Sequence, residues 1–164
     1  MNMELWYTTR IVNLIKQAQA IGEKHGHKYI LRQGLIREII ISSALGHYVH
    51  TELHQHDAYN PDNPEEHFEY MTTAGSKFTF SSMVKGISST RERIMRNKYV
   101  YFVRFDAECP LDIEEIYEVD PDKVWAHIES ALRDTGQGRK ANVHVGMPWV
   151  RANGRSIPVN IDPV

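Results

Sequence analysis

Apolar residues at Ile11, Leu14, Ile15, Ala18 and Ile21 recur at the spacing of one helical face. The pattern predicts a helix over residues 4–24, with Gly26 as its stop. Residues 34–46 (GLIREIIISSALG) are more uniformly apolar and predict a second, more buried helix bounded by Gly34 and Gly46. Residues 47–66 turn polar, with Asn60-Pro61 and Asn63-Pro64 marking turns. Aromatic and β-branched residues then predict strands at 67–73 (HFEYMTT) and 99–105 (YVYFVRF), and a third at 113–119 (IEEIYEV). Asp120-Pro121 supplies the N-cap and first-turn proline of a helix with Val124, Ile128, Ala131 and Leu132 on one face. Gly136 to Lys140 reads as a loop, and the remainder as short strands and turns.

Composition narrows the class without deciding the function. A chain of 164 residues and 19.0 kDa, 41% hydrophobic and 24% charged, suits one globular α/β domain over 1–164. The longest apolar run, Ile39-Ile40-Ile41, is far too short to span a bilayer, so no membrane association is expected. The beginning Met1-Asn2-Met3-Glu4 lacks the basic and apolar regions of a signal peptide. Cys109 is the single cysteine, which excludes an internal disulfide framework and a Cys-based zinc site, and makes a reducing, intracellular compartment the expectation.

Charge is segregated along the chain. Asp57, Asp62, Glu65, Glu66 and Glu69 face only Lys77 across residues 57–84. Residues 85–105 carry Lys85, Arg91, Arg93, Arg96, Lys98 and Arg104 against Glu92 alone. Residues 106–134 are again mainly acidic. A partner that is a polyanion needs a local positive field rather than a high overall pI, so the net charge of −2 leaves nucleic acid open as a partner. The plain alternative is that each block is a solvated face.

The chemistry concentrates where the polar segment meets the first strand. On a strand Glu69, Met71 and Thr73 point one way, and Phe68 and Tyr70 the other. A carboxylate on a central strand is costly to bury unless it is paired or bound to a cation. If 57–66 returns as a hairpin, Asp57 and Glu69 converge, and two hard oxygen ligands that leave positions for water and phosphate suit Mg²⁺. Such an ion activates water and stabilises the charge of a phosphodiester under attack. The alternative is a surface Asp and a rim Glu with no common partner.

Asp57-Ala58 followed by Phe68-Glu69-Tyr70 resembles the core of the PD-(D/E)xK nucleases, in which an Asp precedes a strand bearing E-x-K. The resemblance runs over most of the chain and is to the small type II restriction endonucleases of that family. It includes Glu4-Leu5-Trp6 leading a helix to Lys24-His25-Gly26, Phe80-Ser81-Ser82, Ile113-Glu114-Glu115-Ile116-Tyr117 with Asp120-Pro121-Asp122, and Asn153-Gly154-Arg155-Ser156-Ile157-Pro158-Val159. It implies a restriction-endonuclease-like core, a mixed central β-sheet flanked by helices. It also implies Mg²⁺-dependent hydrolysis of double-stranded DNA at a short palindromic site, and a cytoplasmic, prokaryotic or phage-encoded protein. Asp57 and Glu69 become the metal ligands, and the N-terminal helix, with Leu5, Trp6, Ile11 and Ile15, the contact of a homodimer. Ser81, Ser82, Lys85, Asn153 and Arg155 become the DNA-binding residues.

The family's lysine is replaced by Met71, which carries no positive charge. Either another residue takes over, with Lys77 at the end of the same segment the nearest spare cation, or the chain binds DNA sequence-specifically without cutting it. Other residues have two readings each. His47, His50, His54 and His56 suit a transition-metal site, a zinc hydrolase included, or solvated loop and DNA-backbone contacts. Glu38 is either half of a solvent-facing pair with Arg37 or an extra carboxylate at the metal site. Arg91, Arg93 and Arg96 are phosphate contacts or a solvated helix face. Trp125 and Trp149 read as packing residues and Cys109 as a loop thiol.

Overall fold

The computed structural model describes residues 3–28, 30–31, 34–51 and 56–159, with side chains from residue 10 onward. The elements are α1 (Met3–Lys24), α2 (Leu35–Leu45), β1 (Tyr48–Val49), β2 (Ala58–Asn60), β3 (Asn63–Thr73), β4 (Lys77–Val84) and α3 (Ser88–Met95). They continue as β5 (Tyr99–Phe105), β6 (Ile113–Val119), α4 (Pro121–Ala131), β7 (Lys140–Gly146), α5 (Met147–Asn153) and β8 (Arg155–Ile157). The chain is thus mixed α/β, with a central mixed sheet in the order β1-β2-β3-β5-β6-β8 and a separate antiparallel β4–β7 ribbon. Among the described strands only β3 and β5 pair in parallel, and β4 and α3 form the crossover between them.

Two apolar layers clasp that sheet. β5 is buried on both faces, as its run YVYFVRF requires of a central strand. Val100 and Phe102 join β4, β7, Ile94 of α3, Val124 and Ile128 of α4, and Val150 of α5 in one cluster. Tyr101, Val103 and Phe105 join Phe68, Tyr70 and Ile41 of α2 in the other. α4 starts as its sequence dictates, with the Asp120 carboxylate accepting from the Asp122 N–H at 2.8 Å and Pro121 in the first turn. α2 ends at Gly46, whose φ of 71° is the left-handed conformation that glycine adopts freely.

The structure departs from the sequence pattern at a few places. β3 starts at Asn63 rather than His67, because Asn60 to Asn63 is itself the tight turn and the Asn60 carboxamide oxygen accepts from the Asp62 N–H. Residues 147–153 form a short helix where turns were expected, with Pro148 in the first turn, the one helical position where a missing N–H is harmless. Ala131 is exposed, and Leu132 fills the core in its place.

α1 is long and largely exposed, with Ile11, Leu14, Ile15 and Ile21 between 38% and 61% accessible. Leu5 and Trp6 fall outside the described side chains. Gln19 ties α1 to the following segment, its Nε2 donating to Lys28 O and its Oε1 accepting from Ile30 N. Among the described residues no helix is long and apolar enough to cross a membrane.

Candidate active site

The β2–β3 hairpin places the first carboxylate. Ala58 pairs with Phe68 and Tyr59 with His67, which carries Asp57, one residue before β2, alongside the middle of β3. There the Tyr70 N–H donates to Asp57 Oδ2 at 2.7 Å, and the His50 N–H donates to Asp57 O at 3.1 Å. The aspartate is therefore held by backbone on both sides. Glu69 precedes Tyr70 on the same strand and, by alternation, projects with Met71 toward the layer that holds Ile94 and Met83, away from Phe68 and Tyr70.

Electrostatics tie these groups together. Burial raises the Glu69 carboxyl above the usual carboxylate range, and the neighbouring Asp57 charge raises it further. Arg93 and Arg96 oppose that shift, and Glu38 adds to it. The charges bearing on Glu69 thus come from α2, from the start of the hairpin, and from α3 and the residue that follows it. Glu38 acts on this site, while Arg37 lies over the Phe105 ring at 4.9 Å.

The last turn of α3 is fixed to the loop of Asp57. Asn97 is buried, and its Nδ2 donates to Arg93 O at 2.9 Å and Ile94 O at 3.2 Å. Its Oδ1 must then accept, so the 2.9 Å contact with His56 Nδ1 places the proton on that nitrogen. His56 stacks on His67 at 3.9 Å, and His67 in turn meets His50. Burial lowers the His56 pKa; the Asn97 bond opposes this, while Arg96, His67 and His50 reinforce it.

His47 belongs to the packing. It stacks on Phe68 at 4.0 Å and bonds the Tyr70 hydroxyl at 2.8 Å, and burial lowers its pKa to about 4, with Glu118 opposing. His54 lies outside the described residues. Among the described residues no group of three or more His, Cys, Asp or Glu side chains is arranged to hold a metal ion. His47, His50 and His56, with His67, are instead occupied in stacking and hydrogen bonding to the protein. A cleft of about 740 Å³ between α1, α2 and β1 is lined by residues such as Ile21, Ile30, His47 and Tyr59, and includes neither Asp57 nor Glu69.

The remaining sequence candidates scatter. Lys77 is exposed and opens β4 beyond the turn at 74–76, opposite Gly146. Ser81 and Ser82 are exposed at a bulge of β4, where Ser82 has φ 56° and its N–H donates to Asn142 Oδ1. Lys85 donates to the Arg133 carbonyl. The Asn153 amide donates to Trp149 O at 2.9 Å, closing α5, and Arg155 bonds Glu118 through Nε and Nη2. No family model matches the chain, and no curated protein matches it.

The chemistry of the donor set fits a hard divalent cation. A carboxyl driven up by desolvation and by a neighbouring carboxylate is one whose ionised form needs a nearby positive charge, which Mg²⁺ supplies through oxygen ligands.

Proposed function

We propose that the chain is a Mg²⁺-dependent endonuclease of the type II restriction class on a restriction-endonuclease-like core, hydrolysing phosphodiester bonds of double-stranded DNA at a short palindrome. The observation that carries this reading is the place of Asp57 beside β3, where it accepts from the Tyr70 N–H next to Glu69, and the effect of its charge on the Glu69 carboxyl, which burial and Asp57 both raise.

Asp57 and Glu69 would hold the ion. When bound, Mg²⁺ supplies Lewis acidity and an activated water at the phosphate. The Tyr70 N–H fixes the Asp57 carboxylate, so the ligand is oriented before the ion arrives. Glu69 is half-buried, and that desolvation strengthens its attraction to a cation. Arg91, Arg93 and Arg96 would provide the field that draws a DNA backbone toward the carboxylates, since Lys98 and Arg104 of the same block are paired with Glu66 and with Glu114 and Glu115. Exposed Ser81 and Ser82 on the β4 bulge are the hydroxyls best placed to read DNA. Two copies related by a two-fold axis would cut both strands, with the exposed apolar residues of α1 forming the contact.

Met71 favours a second reading. It packs against the core layer where the family carries lysine, and supports a DNA-binding protein of the same fold that no longer cuts. Plasmid DNA with Mg²⁺ separates the two. Nicking and linearisation that vanish in Asp57→Ala and Glu69→Ala, with duplex binding in Ca²⁺ retained, support the nuclease. Binding without cutting supports the second reading, and neither activity refutes both. Light scattering at micromolar concentration tests the dimer, and the mass of one chain refutes it.

A further inference from the structure

Arg104, Arg151 and Arg155 each meet a carboxylate, on Glu115, Glu115 and Glu118 respectively. Arg93 meets none among the described residues. Half-buried on α3, it donates through Nη2 to Met83 Sδ at 3.8 Å, a weak acceptor, and its Nε is buried without a hydrogen-bond partner. A guanidinium with one donor, Nε, buried and unpaired carries a desolvation penalty, and an anion placed before its remaining donors offsets that penalty through charge-assisted bonds.

The position of Arg93 says which anion. Met83 belongs to the same layer as Ile94, and Met71 packs against that layer. Met71 and Glu69 project together from β3. Asn97 ties Arg93 O, through its own carboxamide, to His56 beside Asp57. Arg93 thus sits on α3 against the layer that Met71 also packs on, and its charge acts on Glu69, which shares a strand face with Met71.

We propose that the Arg93 guanidinium hydrogen-bonds a non-bridging oxygen of the scissile phosphate and supplies the positive charge that Met71 lacks. This rests on the nuclease reading. A guanidinium stays protonated at any working pH, so Arg93 acts as donor and charge and moves no proton. Its field at Glu69, opposing burial and Asp57, has the sign this position requires.

The test uses Arg93→Met, which keeps an apolar stem against Met83 and removes the charge. With Mg²⁺ and plasmid DNA, cleavage falls by about a hundredfold or more, the loss typical when one transition-state donor is removed. Adding Met71→Lys restores most of that loss, because charge now comes from β3, whereas a purely structural arginine would not be rescued. Duplex binding in Ca²⁺ gives a readout free of turnover: Arg93→Met lowers the slope of log affinity against log salt by about 1. Thermal melts confirm that the variants fold, and if Arg93→Met does not, Arg93→Lys replaces it, with partial activity expected. Cleavage by a folded Arg93→Met within about threefold of wild type, or a loss that Met71→Lys leaves unrestored, overturns the assignment while the nuclease reading stands. A larger loss in Arg96→Met than in Arg93→Met also overturns it. If the wild type binds duplex without cutting, an unchanged salt slope overturns it, and a chain that neither binds nor cuts overturns both.

Discussion

Asn97→Ala is the perturbation whose outcome the geometry constrains best. The side chain is 4% exposed and makes three hydrogen bonds, to Arg93 O, Ile94 O and His56 Nδ1. Each contributes about 0.5–1.5 kcal/mol net, and truncation also leaves the His56 N–H and the Arg93 carbonyl short of a partner, while Ile94 O keeps the Asn97 backbone N–H, so the loss is about 2–4 kcal/mol. Urea denaturation followed by tryptophan fluorescence measures it directly. Asn97→Asp refines the test. It keeps an acceptor for His56 but turns carboxylate oxygens toward two carbonyls, so it also destabilises the fold. At the same time it places a negative charge beside the imidazole and raises the His56 pKa, reversing the present direction. An NMR titration of the His56 ring reads that sign. A loss below about 0.5 kcal/mol in Asn97→Ala, or an Asp variant that lowers the His56 pKa, would refute the network.

Three further outcomes are expected. Phe102→Ala removes a fully buried ring packed edge-on against Phe78 at 5.0 Å, and should lower unfolding free energy by about 3–5 kcal/mol; a loss under about 1.5 kcal/mol in urea would contradict its central place. The Glu115 carboxyl is held down to about 2 by hydrogen bonds from Arg151, Arg104 and Tyr117 against the effect of burial, so its stabilisation is present above pH 4.5 and is lost as pH falls toward 2. Glu115→Gln should flatten the acid limb of the stability curve, as melts from pH 5 down to pH 2 would show. Glu69 behaves oppositely: its raised pKa gives stability that is full below 4.5 and is lost as pH rises through the folded value. Glu69→Gln should therefore raise the melting temperature of the ion-free chain at neutral pH, while Mg²⁺ should raise that of the wild type alone; a glutamine variant that Mg²⁺ stabilises equally would count against the ligand role.

The parts of the fold legible in sequence were those fixed locally. β5 and β6 appear at the residues their aromatic and β-branched runs mark, and Asp120-Pro121 starts α4 as its capping chemistry requires. Pro64 misleads because a proline that marks a turn is also tolerated near the start of a strand. α5 was not legible, since seven residues are too few to display a helical period. At the site, the hairpin that joins Asp57 to β3 follows from the turn residues Asn60 to Asn63. The environment of Arg93 does not, because the crossover from β3 to β5 sets which residues of the basic block turn inward. Asn153 and Arg155 show the converse: their partners, Trp149 and Glu118, lie on α5 and β6, and only the assembled fold reveals that these donors are occupied.

The two halves of the polar centre are closed by chain loops of different length. Asp57 reaches Tyr70 across a separation of 13 residues, whereas His56 reaches Asn97 across 41. The longer closure costs about 1 kcal/mol more in chain entropy, since the penalty grows with the logarithm of loop length. The acidic half is thus a short-range product of one hairpin, and the arginine half arrives only when the parallel β3–β5 pairing closes. The difference predicts that during refolding Asp57 meets its strand before α3 brings Arg93 alongside, with the order reversed under partial denaturation. Amide exchange should accordingly release the Asn97 turn before the Tyr70 N–H that Asp57 holds.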